Sequence, residues 1–252
     1  VTLCWRSLAE MEENYSVFVH LFGRNEQPLG QADSYPGLGS YPTSLWRVGD
    51  IICETHRVPI SGDVICPTAC RADVGLYKLE AMEGLQAFDR EGRPMGRVSV
   101  GRVKLAPRSW PEYSIENPAD FNLGGKARLI GWAMDRGKAK PGGEIGLTLY
   151  WECLSEMGED YTVFIHLVGE EGEIVAQDDG QPLDGYYPTS LWGKGEVIED
   201  GYAFILGGDV TEGEYWIEVG MYILESGQRL PIVKEEEIVE DRILLGKVRV
   251  QG

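Results

Sequence analysis

Apolar and polar residues alternate along most of the chain, and this alternation predicts β-strands. Residues 147–151 keep their apolar side chains on one face and end on Trp151, and the opening residues of the chain repeat that face around Trp5. Two longer segments, 15–22 and 161–168, are apolar on both faces, which predicts central strands covered on both sides. No segment has a convincing helical period.

The chain also repeats itself. Residues 41–46, Tyr-Pro-Thr-Ser-Leu-Trp, recur unchanged as residues 187–192, and the sequence aligns without a gap from Trp5 with Trp151 to Trp46 with Trp192. We therefore predict two domains of one type. The predicted boundaries are 1–107 for the first β-sandwich, 108–118 for a linker rich in proline and aromatic residues, and 119–252 for the second β-sandwich.

Short strands separated by glycine and proline, with 33 Gly and 13 Pro in all, are typical of antiparallel sandwiches. The predicted fold class is all-β, with two tandem sandwiches of the immunoglobulin or fibronectin type and a jelly roll as the second choice. Residues 121–146 have no equivalent before Val1. We therefore expect the first sandwich to lack its opening strand, and the native chain to continue upstream or to belong to a larger assembly.

Composition narrows the possible partners. The formal net charge is -18, from 41 acidic and 23 basic residues, which disfavours nucleic acid and anionic membrane surfaces as partners. No apolar run is long enough to span a bilayer, so we expect no membrane insertion of these residues. Neutral ligands such as carbohydrates remain compatible with this charge.

The repeated loop offers two aromatic pairs, Tyr41 with Trp46 and Tyr187 with Trp192. One interpretation is that these residues only plug the open end of each sandwich. The other is that they form flat platforms on which sugar rings stack. Trp216 is a further candidate, because the alternation in its strand points it outward, where the aligned first copy has Lys78.

Other repeated residues are predicted to be structural. Trp5 and Trp151 are expected in the two cores, and His20 and His166 are expected as interior histidines that bond to the loops containing Asp33 and Asp179. Asp178, Asp179 and Asp184 have the oxygen chemistry of calcium ligands. Since Ala32 and Leu38 stand at two of these places in the first copy, we predict no shared metal site.

The cysteines do not form a framework common to both copies, since four of the five lie in the first. The alignment leaves residues 65–72 as an insertion of the first copy. Cys66 and Cys70 within it are a candidate for a local disulfide in an oxidising compartment, and a zinc site is disfavoured because no second ligand pair is nearby. No catalytic motif is recognisable, so we predict no catalytic residues, no cofactor and no enzyme activity.

Three sequence features together carry a family resemblance: the repeated loop followed by glycine, the Gly-x-Tyr-x-x-Glu pattern in 75–80 and 213–218, and Gly-Gln-Arg-Leu-Pro in 227–231. They resemble a bacterial sandwich domain found at the extracytoplasmic carboxyl end of membrane glycosyltransferases of the dolichyl-phosphate-mannose mannosyltransferase type. The resemblance implies a cell-surface location and a role near glycans, and it transfers no catalytic residue. We thus expect a non-catalytic module that binds carbohydrate or assists a membrane glycosyltransferase. The alternative is a structural spacer or assembly module.

Overall fold

The computed structural model describes residues 1–23 and 26–251, and it divides the chain into two compact units, Val1–Ala106 and Pro107–Gly252. Strands of the first unit are β1 Thr2–Arg6, β2 Ser16–Phe22, β3 Pro28–Ser34, β4 Ile51–Thr55, β5 Thr68–Lys78, β6 Glu83–Gly84, β7 Ala87–Phe88, β8 Pro94–Met95 and β9 Ser99–Leu105. Strands of the second are β10 Asn117–Leu123, β11 Ala127–Met134, β12 Lys138–Ala139, β13 Glu144–Cys153, β14 Tyr161–Val168, β15 Ile174–Gly180, β16 Val197–Ile205, β17 Gly213–Ile223, β18 Ile232–Lys234, β19 Glu237–Glu240 and β20 Ile243–Val250. Short 3₁₀ turns lie at Pro36–Gly39, Thr43–Leu45, Pro182–Gly185 and Thr189–Leu191.

The second unit consists of two sheets. One has the order β16-β13-β11-β10-β18-β19 and is antiparallel throughout, and the other has the order β12-β20-β17-β14-β15, in which only the β12–β20 pair is parallel. Leu149 of β13 and Ile165 of β14 are fully buried in one core cluster, so the two sheets face each other. The chain is therefore all-β, as predicted, and its antiparallel sheets are consistent with β-sandwich architecture.

Alternation explains which residues form this core. In β13, Leu147 and Trp151 point inward and are buried, while Thr148 between them is only half-buried. Strand β14 lies between β15 and β17 in its sheet. Its side chains are buried on both faces of the sheet from Tyr161 to Leu167.

The first unit has a smaller core. Strands β3-β2-β5-β6 form one sheet, with β9 also paired to β5, and β1 pairs with β4 in a separate two-stranded ladder. Leu3 of β1 packs with Val17, Val19 and Val74 in one buried cluster. Trp5, predicted to lie in the core, is only half-buried at the border of this cluster, whereas Trp151 is fully buried in the second unit.

The register of β5 differs from our alignment. His20 pairs with Asp73 and His166 pairs with Glu218, so the structural equivalent of Glu218 is Asp73 and not Glu80. Strand β5 begins at Thr68 and includes Cys70. Residues 68–72 are thus strand and not an inserted loop. A period-two pattern does not fix register, and this is why the alignment could place these residues wrongly.

The disulfide also differs from the prediction. Cys4 is bonded to Cys53, whose strand is directly opposite it in the β1–β4 ladder, and Cys66 and Cys70 are free thiols. Cys70 is buried in β5, where its backbone pairs with Val103. The predicted Cys66–Cys70 disulfide is therefore wrong, because strand formation separates the two side chains.

The segment predicted as a linker belongs to the second compact unit. The Tyr113 ring lies 5.4 Å from the Tyr150 ring, between centroids, and its hydroxyl lies 3.5 Å from the carbonyl of Val197. Ile115 occupies the space next to Gly131, where a Cβ atom would come within 2.1 Å of it. Residues 113–115 thus pack on the sheet that contains β11 and β13.

Candidate functional site

The repeated loop is held by a buried threonine. The hydroxyl of Thr189 donates to the carbonyl of Glu159 at 2.9 Å and accepts the N–H of Tyr161 at 2.8 Å. Thr43 makes the same two bonds in the first unit, at 2.8 and 2.9 Å. Both threonines are fully buried. Each bond joins the loop to the start of a core strand, so the loop sequence recurs for a structural reason.

Three of the four aromatic rings proposed as sugar platforms are inaccessible. Trp46, Tyr187 and Trp192 are 3%, 0% and 2% exposed, and only Tyr41, at 37%, reaches solvent. The indole N–H of Trp192 donates to the carbonyl of Tyr187 at 2.9 Å, and this bond holds the ring inside the second unit. The stacking interpretation is therefore wrong for these three residues, because the loop uses them to close the end of the core.

The hydroxyl of Tyr187 is a buried donor. It donates to Oε2 of Glu196 at 2.7 Å and lies 3.3 Å from the carbonyl of Leu191. Burial raises the pKa of Tyr187, and the hydrogen bond to the Glu196 carboxylate raises it further. Tyr187 therefore stays protonated and keeps donating. Tyr41 makes the equivalent bond to Asp50 at 3.1 Å, at the surface.

Trp216 lies on the outer face of the five-stranded sheet and is 39% exposed. The ammonium group of Lys247 lies 4.9 Å from the centroid of its ring, within cation–π distance. Lys247 also bonds the carboxylate of Glu214 at 3.1 Å. A ligand that stacks on Trp216 must therefore use the face that Lys247 leaves open.

The two repeated histidines lie on outer sheet faces, where His166 is buried, as predicted, and His20 is only half-buried. Their neighbours along the strand point into the core, so alternation turns the imidazoles outward. Nε2 of His20 lies 3.1 Å from Oδ1 of Asp33, and Nε2 of His166 lies 3.5 Å from Oδ1 of Asp179. The Nδ1 atom of His166 is buried without a hydrogen bond, 3.7 Å from Oε1 of Glu218.

The same face contains a packed phenylalanine. Phe164 is 1% exposed, and a Cβ atom on Gly220 would lie 2.5 Å from its ring. The guanidinium of Arg229 covers the other side at 4.2 Å from the centroid. Phe18 rests on Gly75 in the same way in the first unit. These contacts cover the Phe164 ring and hold it in place on the sheet face.

An open cleft of about 750 Å³ lies at another edge of the second unit. We call it the acidic cleft, because the residues that line it include Glu116, Asp135, Asp178, Asp179 and Asp184, together with Gln181 and Tyr202, and no lysine or arginine. Gly146, Gly180 and Gly201 lack side chains that would fill it, and Met134 and Leu147 add apolar surface.

Asp200 lies behind Tyr202, a lining residue of the acidic cleft, and holds its ring in place. The phenol donates to Oδ2 of Asp200 at 2.5 Å, and the N–H of Leu183 donates to Oδ1 at 2.9 Å. Asp200 is 1% exposed. Burial raises its pKa to about 6, the nearby charges of Asp184 and Asp178 add to this, and the two hydrogen bonds oppose it.

The first unit reproduces these acids only in part, since Asp33 aligns with Asp179 but two others are replaced. Ala32 and Leu38 align with Asp178 and Asp184, and Glu54 aligns with Asp200. The N–H of Gly37 donates to Glu54, as that of Leu183 donates to Asp200. The first unit thus keeps this backbone hydrogen bond to a carboxylate, but it lacks the acids at the positions of Asp178 and Asp184. The acidic cleft is thus a property of the second copy of the sequence.

Sequence reasoning located Asp178, Asp179 and Asp184 but did not identify the cleft. Its remaining walls come from β11, β13 and β16, which are distant in sequence. Within the described residues, 1–23 and 26–251, no group of three or more His, Cys, Asp or Glu side chains is arranged to hold a metal ion. None of the helical segments described is long and apolar enough to cross a membrane.

Comparisons with known proteins place few limits on function. No protein-family model matches the chain, and no curated protein matches it. Among solved structures, the crystal structure of the C-terminal domain of wzt is similar, with a TM-score of 0.36 and 10% sequence identity over 54% of this chain and 83% of that chain.

Proposed function

We propose that the second unit is a non-catalytic carbohydrate-binding module and that the acidic cleft is its binding site. The observation that carries the proposal is the lining of this cleft, in which five acidic residues and Gln181 lie together with the ring of Tyr202, glycines and apolar carbons. Carboxylates accept hydrogen bonds from hydroxyl groups, and sugars present many such donors beside apolar C–H faces. A volume of about 750 Å³ falls in the range of small-molecule sites.

The charge of the cleft defines the ligand further. Arg136 pairs with Asp135 at 2.9 Å, but no lysine or arginine lines the cleft itself, so a phosphorylated, sulfated or uronic acid sugar meets an excess of negative charge. Neutral and amino sugars do not meet this repulsion. We therefore propose a neutral or amino glycan as the ligand.

The arrangement of Asp200 supports a binding role over a catalytic one. Its raised pKa is a property of general acids. However, one oxygen accepts the N–H of Leu183, the other accepts the phenol of Tyr202, and the side chain is buried behind that ring. Asp200 then acts by holding Tyr202 in the wall of the cleft.

We also propose that the chain works outside the cytoplasm, as an accessory domain of a membrane glycosyltransferase or a similar surface protein. The Cys4–Cys53 disulfide supports this location, because disulfides persist in oxidising compartments. Blocking free thiols at the moment of cell lysis tests the location. We expect Cys4 and Cys53 to escape alkylation, and their modification in the native host would contradict the proposal.

The test of binding uses the first copy as its source of substitutions. A variant carrying Asp178→Ala and Asp184→Leu has the residues that the first copy has at those positions, so the frame is known to accept them. Leu38 adopts a positive φ of 52°, close to the 55° of Asp184, so the first copy has a leucine in the same backbone conformation. A glycan array identifies ligands, and titration calorimetry measures affinity.

We expect at least one neutral or amino glycan to bind at millimolar concentration or below, and the double variant to bind it about tenfold more weakly or worse, for the loss of one or more charge-assisted hydrogen bonds. Trp216→Ala is the matched control and should bind normally. Loss of binding in Trp216→Ala alone would move the site to the sheet face.

A structural spacer is the second candidate function. The burial of Trp46, Tyr187 and Trp192 favours it, because the most strongly repeated residues serve packing. Absence of any glycan binding by the wild-type chain would favour the spacer and overturn the carbohydrate proposal.

A further inference from the structure

One carboxyl group joins two parts of the acidic cleft. Asp200 of β16 accepts the phenol of Tyr202 at 2.5 Å with one oxygen, and it accepts the N–H of Leu183 at 2.9 Å with the other. Tyr202 lines the cleft, and Leu183 precedes Asp184, which lines it as well. Asp200 itself is 1% exposed. A change in the charge of this one buried group therefore acts on both parts of the lining.

Within the described part of the chain, the charges that act on Asp200 are negative. Asp184 of the adjoining turn and Asp178 of β15 both disfavour its ionisation. Oδ2 of Asp178 accepts the N–H of Ala203 at 3.3 Å, which holds this carboxylate against the strand of Asp200. On the other side, β13 places the uncharged Leu149 opposite Asp200. No lysine or arginine lines the cleft to offset these charges.

A carboxyl group in this setting keeps its proton at pH values where an exposed one has lost it. Burial and the two neighbouring carboxylates disfavour the ionised form, the two hydrogen bonds oppose them, and the pKa of Asp200 is about 6. A positive charge bound beside Asp178 and Asp184 cancels their repulsion, so it favours loss of the Asp200 proton. By linkage, loss of that proton strengthens the binding of the positive charge to the same extent.

We propose that the acidic cleft binds an amino glycan and that the proton of Asp200 passes to solvent as the glycan binds. The protonated amino group of the sugar lies beside Asp178 and Asp184, and the ionised Asp200 adds a third negative charge nearby. Affinity for amino sugars therefore rises with pH, whereas a neutral sugar carries no charge to be coupled. This inference rests on the proposed carbohydrate site, and it names the class of sugar and the control of that site by pH.

The first copy of the sequence lacks the parts that this coupling needs. Ala32 and Leu38 occupy the positions of the two neighbouring acids. Glu54 occupies the position of Asp200, and it accepts the N–H of Gly37. The first unit thus keeps a carboxylate with its backbone hydrogen bond but not the two acids that act on it. We therefore expect the coupling in the second unit alone.

Titration calorimetry of the full chain with two matched trisaccharides tests the proposal. One is the β-1,4-linked trimer of glucosamine, which carries amino groups, and the other is its fully N-acetylated form, which is neutral. Affinity is measured at several pH values between about 5 and 7, on both sides of the pKa of Asp200. Buffers with different enthalpies of ionisation give the number of protons released on binding.

We expect the affinity for the glucosamine trimer to rise about two- to threefold over this range, with release of about 0.3 proton near pH 6, because neighbouring charges are neutralised without contact with Asp200. The affinity for the acetylated trimer should not depend on pH. In Asp200→Asn, the rise and the proton release should both disappear. Asp184→Asn should reduce both, which keeps the test decisive if Asp200→Asn folds poorly. Trp216→Ala is the matched control and should retain both.

Three results would overturn the inference. One is an affinity for the glucosamine trimer that stays constant or falls as pH rises. The second is a proton release that Asp200→Asn leaves unchanged. The third is an equal rise in affinity for the acetylated trimer. If another glycan on the array binds and the glucosamine trimer does not, the inference fails while the carbohydrate proposal stands. If no glycan binds, the carbohydrate proposal fails as well.

Discussion

Replacing Asp200 with asparagine should flatten the dependence of the second unit's stability on pH. Asp200 is buried, and its pKa in the folded chain is about 6 against an ordinary value of 3.8. The folded state therefore keeps the proton in a pH range where the unfolded state has lost it. Stability from this proton is fully present below pH 3.8 and is lost as pH rises through about 6.

The magnitude follows from the difference between the two pKa values, which corresponds to about 3 kcal/mol of unfolding free energy. Asparagine keeps an oxygen for the N–H of Leu183 and can donate to the phenol oxygen of Tyr202, but it does not titrate. The unfolding free energy of the wild type, taken relative to Asp200→Asn, should therefore fall by about 2.4 kcal/mol between about pH 4 and pH 7.5, the rest of the 3 kcal/mol being lost below pH 4.

Urea unfolding at several pH values, with pulsed hydrogen exchange of peptides from Val197–Ile205, measures this quantity in the second unit. Asp184→Asn is an informative companion, because removing a neighbouring charge lowers the pKa of Asp200 and should reduce the fall without abolishing it. A wild-type minus Asp200→Asn difference that stays constant with pH would refute the reasoning. A difference that grows with pH would show that the sign is wrong.

Three further predictions concern packing. Tyr187→Phe should lower the unfolding free energy, measured in urea, by about 1–2 kcal/mol, because it removes a buried hydrogen-bond donor. Tyr41→Phe removes an exposed donor and should lower it by less than about 0.5 kcal/mol. Equal losses for the two variants would contradict this reasoning. Replacing Cys4 and Cys53 by serine should destabilise the first unit by up to about 4 kcal/mol, given the sequence separation of 49, while Cys66→Ser should leave thermal unfolding nearly unchanged. Gly220→Ala should lower the unfolding free energy by about 1–3 kcal/mol, because the new methyl displaces the Phe164 ring. Gly201→Ala, with nothing within 4 Å of the new methyl, should leave it unchanged in the same assay. A tolerated Gly220→Ala would show that the ring moves freely.

The strands were predictable because their alternation is local. Residues 161–168 were expected as a strand covered on both sides, and β14 is buried over almost its whole length. Apolar content on both faces is a sufficient signal for such a strand, whichever strands lie beside it. The all-β class followed from this pattern and from the frequency of glycine and proline.

Register was not predictable in the same way. Cys4 meets Cys53 because β1 and β4 pair at those two residues, and the aligned residues of the second copy, Tyr150 and Glu199, also meet, at 3.3 Å. Only the pairing of the strands reveals this correspondence. Proximity in sequence favoured Cys66 with Cys70 instead, and the extension of β5 back to Thr68 removed that option.

The candidate site was predictable only in part. Asp178, Asp179 and Asp184 were visible as a run of acids near one turn. Asp200 and Tyr202 lie in β16, and nothing in their local pattern indicates that a phenol and a buried carboxyl support the same cleft. Long-range strand pairing brings them together, and such pairing is the information that periodicity lacks.

A comparison between the two copies distinguishes the residues that the shared fold requires from those that can serve ligand binding. The threonine bonds and the glycine beneath each phenylalanine occur in both units, so they are requirements of the shared shape. Two of the cleft acids, Asp178 and Asp184, occur in the second copy alone, where the first copy has Ala32 and Leu38. The shared frame does not need these two acids, so they are positions at which the second unit can have acquired a ligand of its own. Asp178→Ala with Asp184→Leu should therefore weaken binding by the second unit while leaving the unfolding of the first unit unchanged.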